Sequence, residues 1–323
     1  WTPSLLSGAT VAALLRGVRS LFDLVSGAEV TLEANPGAVD VRRFAAYREA
    51  GVNRLSIGAQ SLAAAQLRRL GRLHDPQQVR LAVAAARAAG FASINLDLMY
   101  GLPGQSVEAA ATDLEAALAL EPDHLSYYQL TLEPGTAFAR QPPRLPSEDL
   151  IADLHMAGVA CLASAGLEQY EVSAFASGRH RCRHNLNYWR FGDYLGIGAG
   201  AHGKLTDDKA AAVWRYRKHD RPEAYLAGDI PRGFVAETWM LGEEDLVLEF
   251  MMNALRLCGG FPVGLFSART GLPFSRIAAP LAAARRAGLL QPTDNRIEAT
   301  PSGRAFLNDL LQYFVPSVAA AEA

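Results

Sequence analysis

Between residues 29 and 170 the chain alternates apolar runs of strand length with helical patterns long enough to return one parallel strand to the next. The first three runs are Val30-Thr31-Leu32-Glu33, Leu55-Ser56-Ile57-Gly58-Ala59-Gln60 and Ile94-Asn95-Leu96-Asp97-Leu98-Met99. Each carries a polar residue toward its end, where an apolar one would cost less to bury. The pattern predicts strands over 29–33, 53–58, 92–98 and 124–130. Helices are expected from Asp40, from Asp75 with Pro76 at the first position and Gly90 past the end, from Ser106 to Leu120, and from Ser147 to Gly166. The fold class is α/β. An open doubly wound sheet would show the same local pattern, but polar ends on successive strands favour a β/α barrel with Glu33, Gln60 and Asp97 on one rim. In such barrels the C-terminal rim carries the chemistry.

From about residue 180 the texture becomes aromatic and glycine-rich, through His184-Asn185-Leu186-Asn187-Tyr188-Trp189 and then Gly196 to Gly203. Residues 243–315 read as helices over 243–257 and 274–287, a hairpin from Gln291 to Thr300 and a closing helix over 302–314. That order resembles a winged helix. The expected organisation is a partial barrel over 1–205, a connector over 206–240 and a winged-helix-like domain over 241–323.

Charge and cysteine usage narrow the function. A formal net charge of −2 gives no general pull toward nucleic acid or an anionic membrane. Arg276, Arg285 and Arg286 invite a DNA-binding reading of the last domain, but residues 241–323 hold seven arginines against eight acidic residues. A DNA reader normally shows a basic footprint, so no nucleic-acid partner is expected. No run of about 18 apolar residues suggests a membrane span, and the start lacks a leader pattern, so a cytoplasmic location is expected. Cys161, Cys182 and Cys258 are too dispersed for a local metal-ligand motif and too few for a disulfide framework.

Glu33, Gln60, Arg72 and Asp97 together offer carboxylate acceptors, an amide that both donates and accepts, and a guanidinium able to grip a carboxylate through two nitrogens. The mixture suits a zwitterionic ligand with a ribose and an amino-acid end. The plainer alternative is that each ties a loop to a strand end. Gly198-Ala199-Gly200-Ala201-His202-Gly203 fits the glycine pattern of dinucleotide sites but is rejected. No helix follows to meet a pyrophosphate, and Val213 to Arg217 reads as a strand.

Several motifs, in order, resemble those of radical S-adenosylmethionine proteins. They are Glu33-Ala34-Asn35-Pro36, Gly51 to Ser61, Leu70-Gly71-Arg72 and Asn95 to Gln105. The match is to the family of oxygen-independent coproporphyrinogen III oxidase. The H-N-x-x-Y-W run at His184 to Trp189 points to its haem-chaperone branch. The resemblance implies that Thr2, Glu33, Gln60, Arg72 and Asp97 contact S-adenosylmethionine. It also implies a C-x3-C-x2-C loop holding a 4Fe–4S cluster served by an electron donor. The three cysteines here do not form that loop, and the chain is expected to be N-terminally truncated relative to the family. The implied function of the intact protein is to bind haem and deliver it to apo-haemoproteins. The alternative is radical decarboxylation of coproporphyrinogen. His184 is the candidate haem ligand, with Tyr188 and Trp189 offering flat aromatic surface. The competing reading makes His184 a hydrogen-bonded residue beneath the rim and the aromatics core.

Overall fold

The computed structural model describes residues 3–316 apart from 39, 208, 211 and 229–232. The chain divides into two compact units, Trp1–Arg181 and Cys182–Ala323. The boundary expected at residue 205 therefore gives way to one after Arg181. Residue 205 lies inside a strand of the second unit, whose sheet continues through the span expected to be a connector.

The first unit runs α1 (Gly8–Leu21), β1 (Thr31–Ala34), α2 (Val41–Ala50), β2 (Arg54–Gln60), α3 (Ala64–Arg69), α4 (Pro76–Ala88) and β3 (Ile94–Tyr100). It continues with α5 (Val107–Leu118), β4 (His124–Gln129), α6 (Ala137–Arg140), α7 (Glu148–Ser164), β5 (Glu168–Glu171) and β6 (Ala174–Ala176). The expected helix starts are where side-chain oxygens satisfy free amide groups. Asp40, Ser106 and Ser147 cap α2, α5 and α7, and Asp75 with Gln78 forms a reciprocal capping box on α4.

The sheet order is β1-β2-β3-β4-β6-β5, with β1 to β4 parallel. β6 pairs antiparallel with both β4 and β5. The parallel barrel pattern thus stops after four strands. Val172 and Ser173 leave only a tight turn between β5 and β6, too short for the crossover that a parallel pair needs.

One face of this sheet is core. Leu32, Leu55, Ile57, Leu96, Leu98 and Leu125 are buried against the helices. Alternation sends the residues between them, including Glu33, Ser56, Asn95, Asp97, Ser126 and Tyr128, to the opposite face. A polar inner face is unusual for a parallel strand, and it is where the predicted site residues fall.

The second unit contains α8 (Arg183–Trp189), β7 (His202–Asp207), β8 (Ala212–Lys218), α9 (Pro222–Leu226) and β9 (Val235–Met240). Then follow α10 (Glu243–Ala254), β10 (Phe261–Pro262), α11 (Gly264–Thr270), α12 (Ser275–Arg286), β11 (Arg296–Ile297), α13 (Pro301–Ala305) and α14 (Leu307–Gln312). Strands β7, β8 and β9 form an antiparallel sheet. Strand β7 begins inside the glycine run, at His202, so no helix follows the glycines, in keeping with their rejection as a dinucleotide motif. The expected hairpin narrows to a Leu290–Ala299 bridge, and β11 pairs with β10. The expected closing helix breaks at Phe306 into α13 and α14. Phe250, Phe261 and Phe266 centre the core of this unit. Among the described residues, no helix is long and apolar enough to cross a membrane.

Candidate functional site

Strand β2 ends on an irregularity that aims Gln60. Ile57 pairs with Leu96, but Gln60 pairs with Leu98, so β2 holds one residue more than β3 over the same span. Such a bulge twists the strand and redirects a side chain. Gln60 itself has φ of 65°, an uncommon conformation for a residue with a Cβ. Gly58 makes room for it, since a Cβ there would lie 3.0 Å from Gln60 Nε2.

The turn after Gln60 is fastened from α5. Asp113 accepts from the Ser61 hydroxyl at 2.5 Å and from the Leu62 amide at 2.5 Å. Both residues are buried, as is Asp113. Burial pushes the Asp113 carboxyl above its ordinary range, against the pull of Ser61, Leu62 and Ala63. Nothing in the local sequence marks Asp113, because its partners lie about fifty residues earlier.

Around Gln60 the structure brings four of the five predicted ligand residues toward one tyrosine. Tyr128 on β4 donates to Gln60 Oε1 at 2.7 Å. Burial pushes its phenol up to about 12, reinforced by the negative charges of Asp97 and Glu33 and opposed by the Arg72 guanidinium and the Gln60 hydrogen bond. Glu33, Gln60, Arg72 and Asp97 therefore all act on Tyr128. Glu33 and Arg72 are exposed, Gln60 is buried, and Asp97 and Tyr128 are half-buried. Arg72 sits past Gly71, whose φ of 66° closes α3. The fifth residue, Thr2, lies outside the described residues.

Asp97 is held in place by its neighbours. It accepts from Asn95 Nδ2 at 2.8 Å and from Ser56 Oγ at 3.0 Å. Burial nevertheless raises its carboxyl above the ordinary range, with Asn95, Ser126 and Ser56 opposing and Glu33 adding to the rise. Tyr128, Asn95 and Ser126 escaped the sequence reading. Their signal was the alternation Asn95/Asp97 and His124/Ser126/Tyr128, polar at every second position on adjacent strands.

This set fits the polar parts of S-adenosylmethionine: carboxylates for hydroxyl or ammonium donors, an amide, and a guanidinium for a carboxylate. A 4Fe–4S cluster finds no such fit. Cys161 lies on α7, Cys182 and Cys258 lie in the second unit, and the described residues contain no group of three metal-ligating side chains. Burial and the nearby Glu115 carboxylate raise the Cys161 thiol, which disfavours its thiolate.

His184 is placed differently from the buried alternative. It is exposed in the first turn of α8, and its ring meets that of Tyr188, one turn later, edge to face at 4.7 Å. Tyr188 in turn meets Tyr194 at 4.6 Å. One face of the Trp189 ring is covered by the Arg256 guanidinium, which lies 4.3 Å over it.

The loop after α8 is tightly fixed. Asn187 Nδ2 donates to the Asp193 carbonyl at 2.9 Å, and a Cβ on Gly192 would collide with Asn187. Phe191 is buried at φ of 54°. Lys204, itself buried, donates from Nζ to the Phe191 carbonyl at 3.1 Å and to Asp193 Oδ1 at 2.8 Å. Its ammonium also lies 4.3 Å over the Phe191 ring.

Comparison with known proteins gives consistent matches. Residues 2–117 match the Radical SAM superfamily and residues 241–306 the HemN C-terminal domain. Heme chaperone HemW of Escherichia coli (strain K12) is 45% identical, over 97% of this chain and 82% of its own length. Heme chaperone HemW of Haemophilus influenzae is 42% identical, over 97% and 81%. That of Mycobacterium tuberculosis (strain ATCC 25618 / H37Rv) is 38% identical, over 94% and 76%. Among solved structures, coproporphyrinogen III oxidase (HemN) from Escherichia coli, described as a radical SAM enzyme, matches with a TM-score of 0.79. That match covers 97% of this chain and 75% of the other at 23% identity, and it shows a shared fold.

Proposed function

The chain belongs to the heme chaperone HemW family of radical S-adenosylmethionine proteins, and from that premise we propose that it binds haem and passes it to apo-haemoproteins. The observation that carries this reading is His184, exposed on a short helix whose following loop is fixed by Asn187, Gly192 and Lys204. An imidazole presented this way is a common axial ligand for haem iron. Tyr188 packs edge-on against it and steadies the ring. An exposed ligand also suits a carrier, because a recipient must be able to reach the iron.

The inner face of the first unit is read as the seat for S-adenosylmethionine. The cofactor brings a nucleoside, a sulfonium and an amino-acid end. Glu33 and Asp97 would accept from its hydroxyl or ammonium donors, Arg72 would pair with its carboxylate, and Gln60 would use the amide that Tyr128 orients.

The test is transfer. Haem-loaded protein is mixed with an apo-haemoprotein such as apomyoglobin, and the Soret band is followed as haem changes host. Transfer faster than from serum albumin at equal loading is expected. Transfer no faster than from albumin would refute the carrier reading. In a parallel arm the intact, cluster-loaded protein is incubated with coproporphyrinogen, reductant and S-adenosylmethionine. No protoporphyrinogen is expected, and its formation would favour the oxidase alternative.

A further inference from the structure

The sequence reading singled out Asp97 but left a buried histidine, His124, unexplained. It stands opposite Asn95 in the β3–β4 register, 1% exposed, and belongs to a continuous string of hydrogen bonds. Tyr170 Oη lies 2.8 Å from His124 Nε2, His124 Nδ1 lies 2.6 Å from Asn95 Oδ1, and Asn95 Nδ2 lies 2.8 Å from Asp97 Oδ1.

We infer that Tyr170, His124 and Asn95 form a one-way donor chain that orients the Asp97 carboxylate, with His124 and Asn95 acting as positioning residues for that acceptor. The inference rests on the reading of Asp97 as part of a nucleoside seat, but the direction of the chain follows from donor and acceptor chemistry alone. Above its raised titration Asp97 is ionised and acceptor-only, and there Asn95 must turn its NH₂ group toward it. That same NH₂ also donates to Ser56 Oγ at 2.8 Å, and Ser56 passes its hydrogen to Asp97 Oδ2. The Asn95 carbonyl oxygen then faces His124 Nδ1 at 2.6 Å, which must donate to it, and Ser126 Oγ at 3.2 Å, whose one hydrogen can serve either this oxygen or Asp97. His124 is consequently the Nδ1–H tautomer, leaving Nε2 as a lone pair for the Tyr170 hydroxyl. Turning the Asn95 amide over would set its carbonyl oxygen against the Asp97 carboxylate and against Ser56 Oγ, whose hydrogen is already given to Asp97. Every hydrogen in the string is thus fixed by one charge at its end, and hydrogen bonds so aligned polarise one another.

Two further observations fit. Burial, with Arg54 and His180 nearby, pushes His124 down to about 3, so it stays neutral with one N–H through the physiological range. Arg54 is held by Ser93 Oγ at 2.8 Å and by the His180 carbonyl at 3.1 Å. Its guanidinium therefore bonds elsewhere and leaves the string to neutral donors.

The test begins without ligand, on full-length protein labelled with ¹⁵N at histidine and ¹³C at the aspartate carboxyl. Long-range ¹H–¹⁵N spectra are expected to show neutral Nδ1–H for His124 from pH 8 down to pH 4.5. An Nε2–H tautomer, or protonation above pH 5, would overturn the inference. Asp97, assigned with Asp97→Asn, should titrate about one unit higher in Asn95→Leu and by a smaller step in His124→Phe. Glu33 is the other charged group that acts on Asp97, and it is present in all variants. An unchanged Asp97 titration in folded variants would likewise overturn the inference. If Asn95→Leu does not fold, the wild-type tautomer and the milder Tyr170→Phe variant still decide. In Tyr170→Phe the His124 Nε2 resonance should move while Nδ1 remains protonated.

A second arm titrates S-adenosylhomocysteine from pH 4 to 8. The acidic limb of binding should move upward with the Asp97 titration, whereas a merely structural role would lower affinity equally at all pH values. No binding by the wild type would sink the nucleoside seat while leaving the donor chain to the ligand-free measurements.

Discussion

Asp113→Ala tests whether the turn carrying Gln60 is held from the helix behind it. The carboxylate accepts the Ser61 hydroxyl and the Leu62 amide, neither of which has solvent within reach. Alanine leaves both buried donors unmet. Hydrogen bonds to a charged group contribute about 1.5–3 kcal/mol each. Release of the cost of burying the carboxylate offsets part of the loss, so a net destabilisation of about 3 kcal/mol is expected. For a unit of this size that corresponds to a Tm lower by roughly 6–12 °C. Asp113→Asn keeps an acceptor for Leu62, and the Ser61 hydroxyl can rotate to accept from the new amide. About 1 kcal/mol is expected there. The pH dependence adds a check of sign. Burial holds the folded carboxyl above the ordinary aspartate value of 3.8, so the folded state takes up a proton at higher pH than the unfolded one. The resulting stabilisation is fully present below 3.8 and lost as pH rises through the folded value. Alanine has no such contribution, so the gap between wild type and Asp113→Ala should widen as pH falls from 7 toward 3.8. Urea unfolding followed by circular dichroism measures both quantities. A loss under 0.5 kcal/mol, or a gap that narrows on acidification, would refute the reasoning.

Two further perturbations separate the sites. Tyr128→Phe removes the donor that orients Gln60 and should weaken S-adenosylhomocysteine binding roughly 3- to 10-fold by calorimetry, with a stability loss of about 1 kcal/mol from the unmet Gln60 oxygen. Because burial pushes the Tyr128 phenol up to about 12, its phenolate should not contribute to the wild-type minus variant absorbance difference at pH 10. Lys204→Met removes the ammonium from the Phe191 carbonyl and from Asp193, and should cost about 2 kcal/mol in urea unfolding. It should also weaken haem binding, because the loop after α8 loses its clamp. Unaltered haem affinity in a destabilised Lys204→Met would uncouple that loop from His184.

Much of the first unit was legible because its signals are local. Asp40, Asp75, Ser106 and Ser147 announce helix starts whatever the rest of the chain does. The runs at 31–34, 54–60 and 94–100 alternate strictly enough to separate core face from polar face. What stayed hidden depends on contacts distant in sequence. Asp113 looks like any acid on an amphipathic helix until the fold sets it against Ser61 and Leu62. The His124–Tyr170 pair needs β6 to fold back antiparallel between β4 and β5, which a parallel repeat does not suggest. Trp189 reads as an open aromatic face, and only packing from α10's C-terminal side brings Arg256 over it. The division after Arg181 is not marked in the local sequence, because it follows from β7, β8 and β9 pairing with one another in their own sheet.

The most direct measurement is a haem titration of wild type and His184→Ala, read by Soret absorbance. Saturation at one haem per chain in the wild type, with a shifted Soret band and at least tenfold weaker binding in the variant, is predicted. Equal affinity and an unchanged band in His184→Ala would remove the residue on which the haem-carrier account rests.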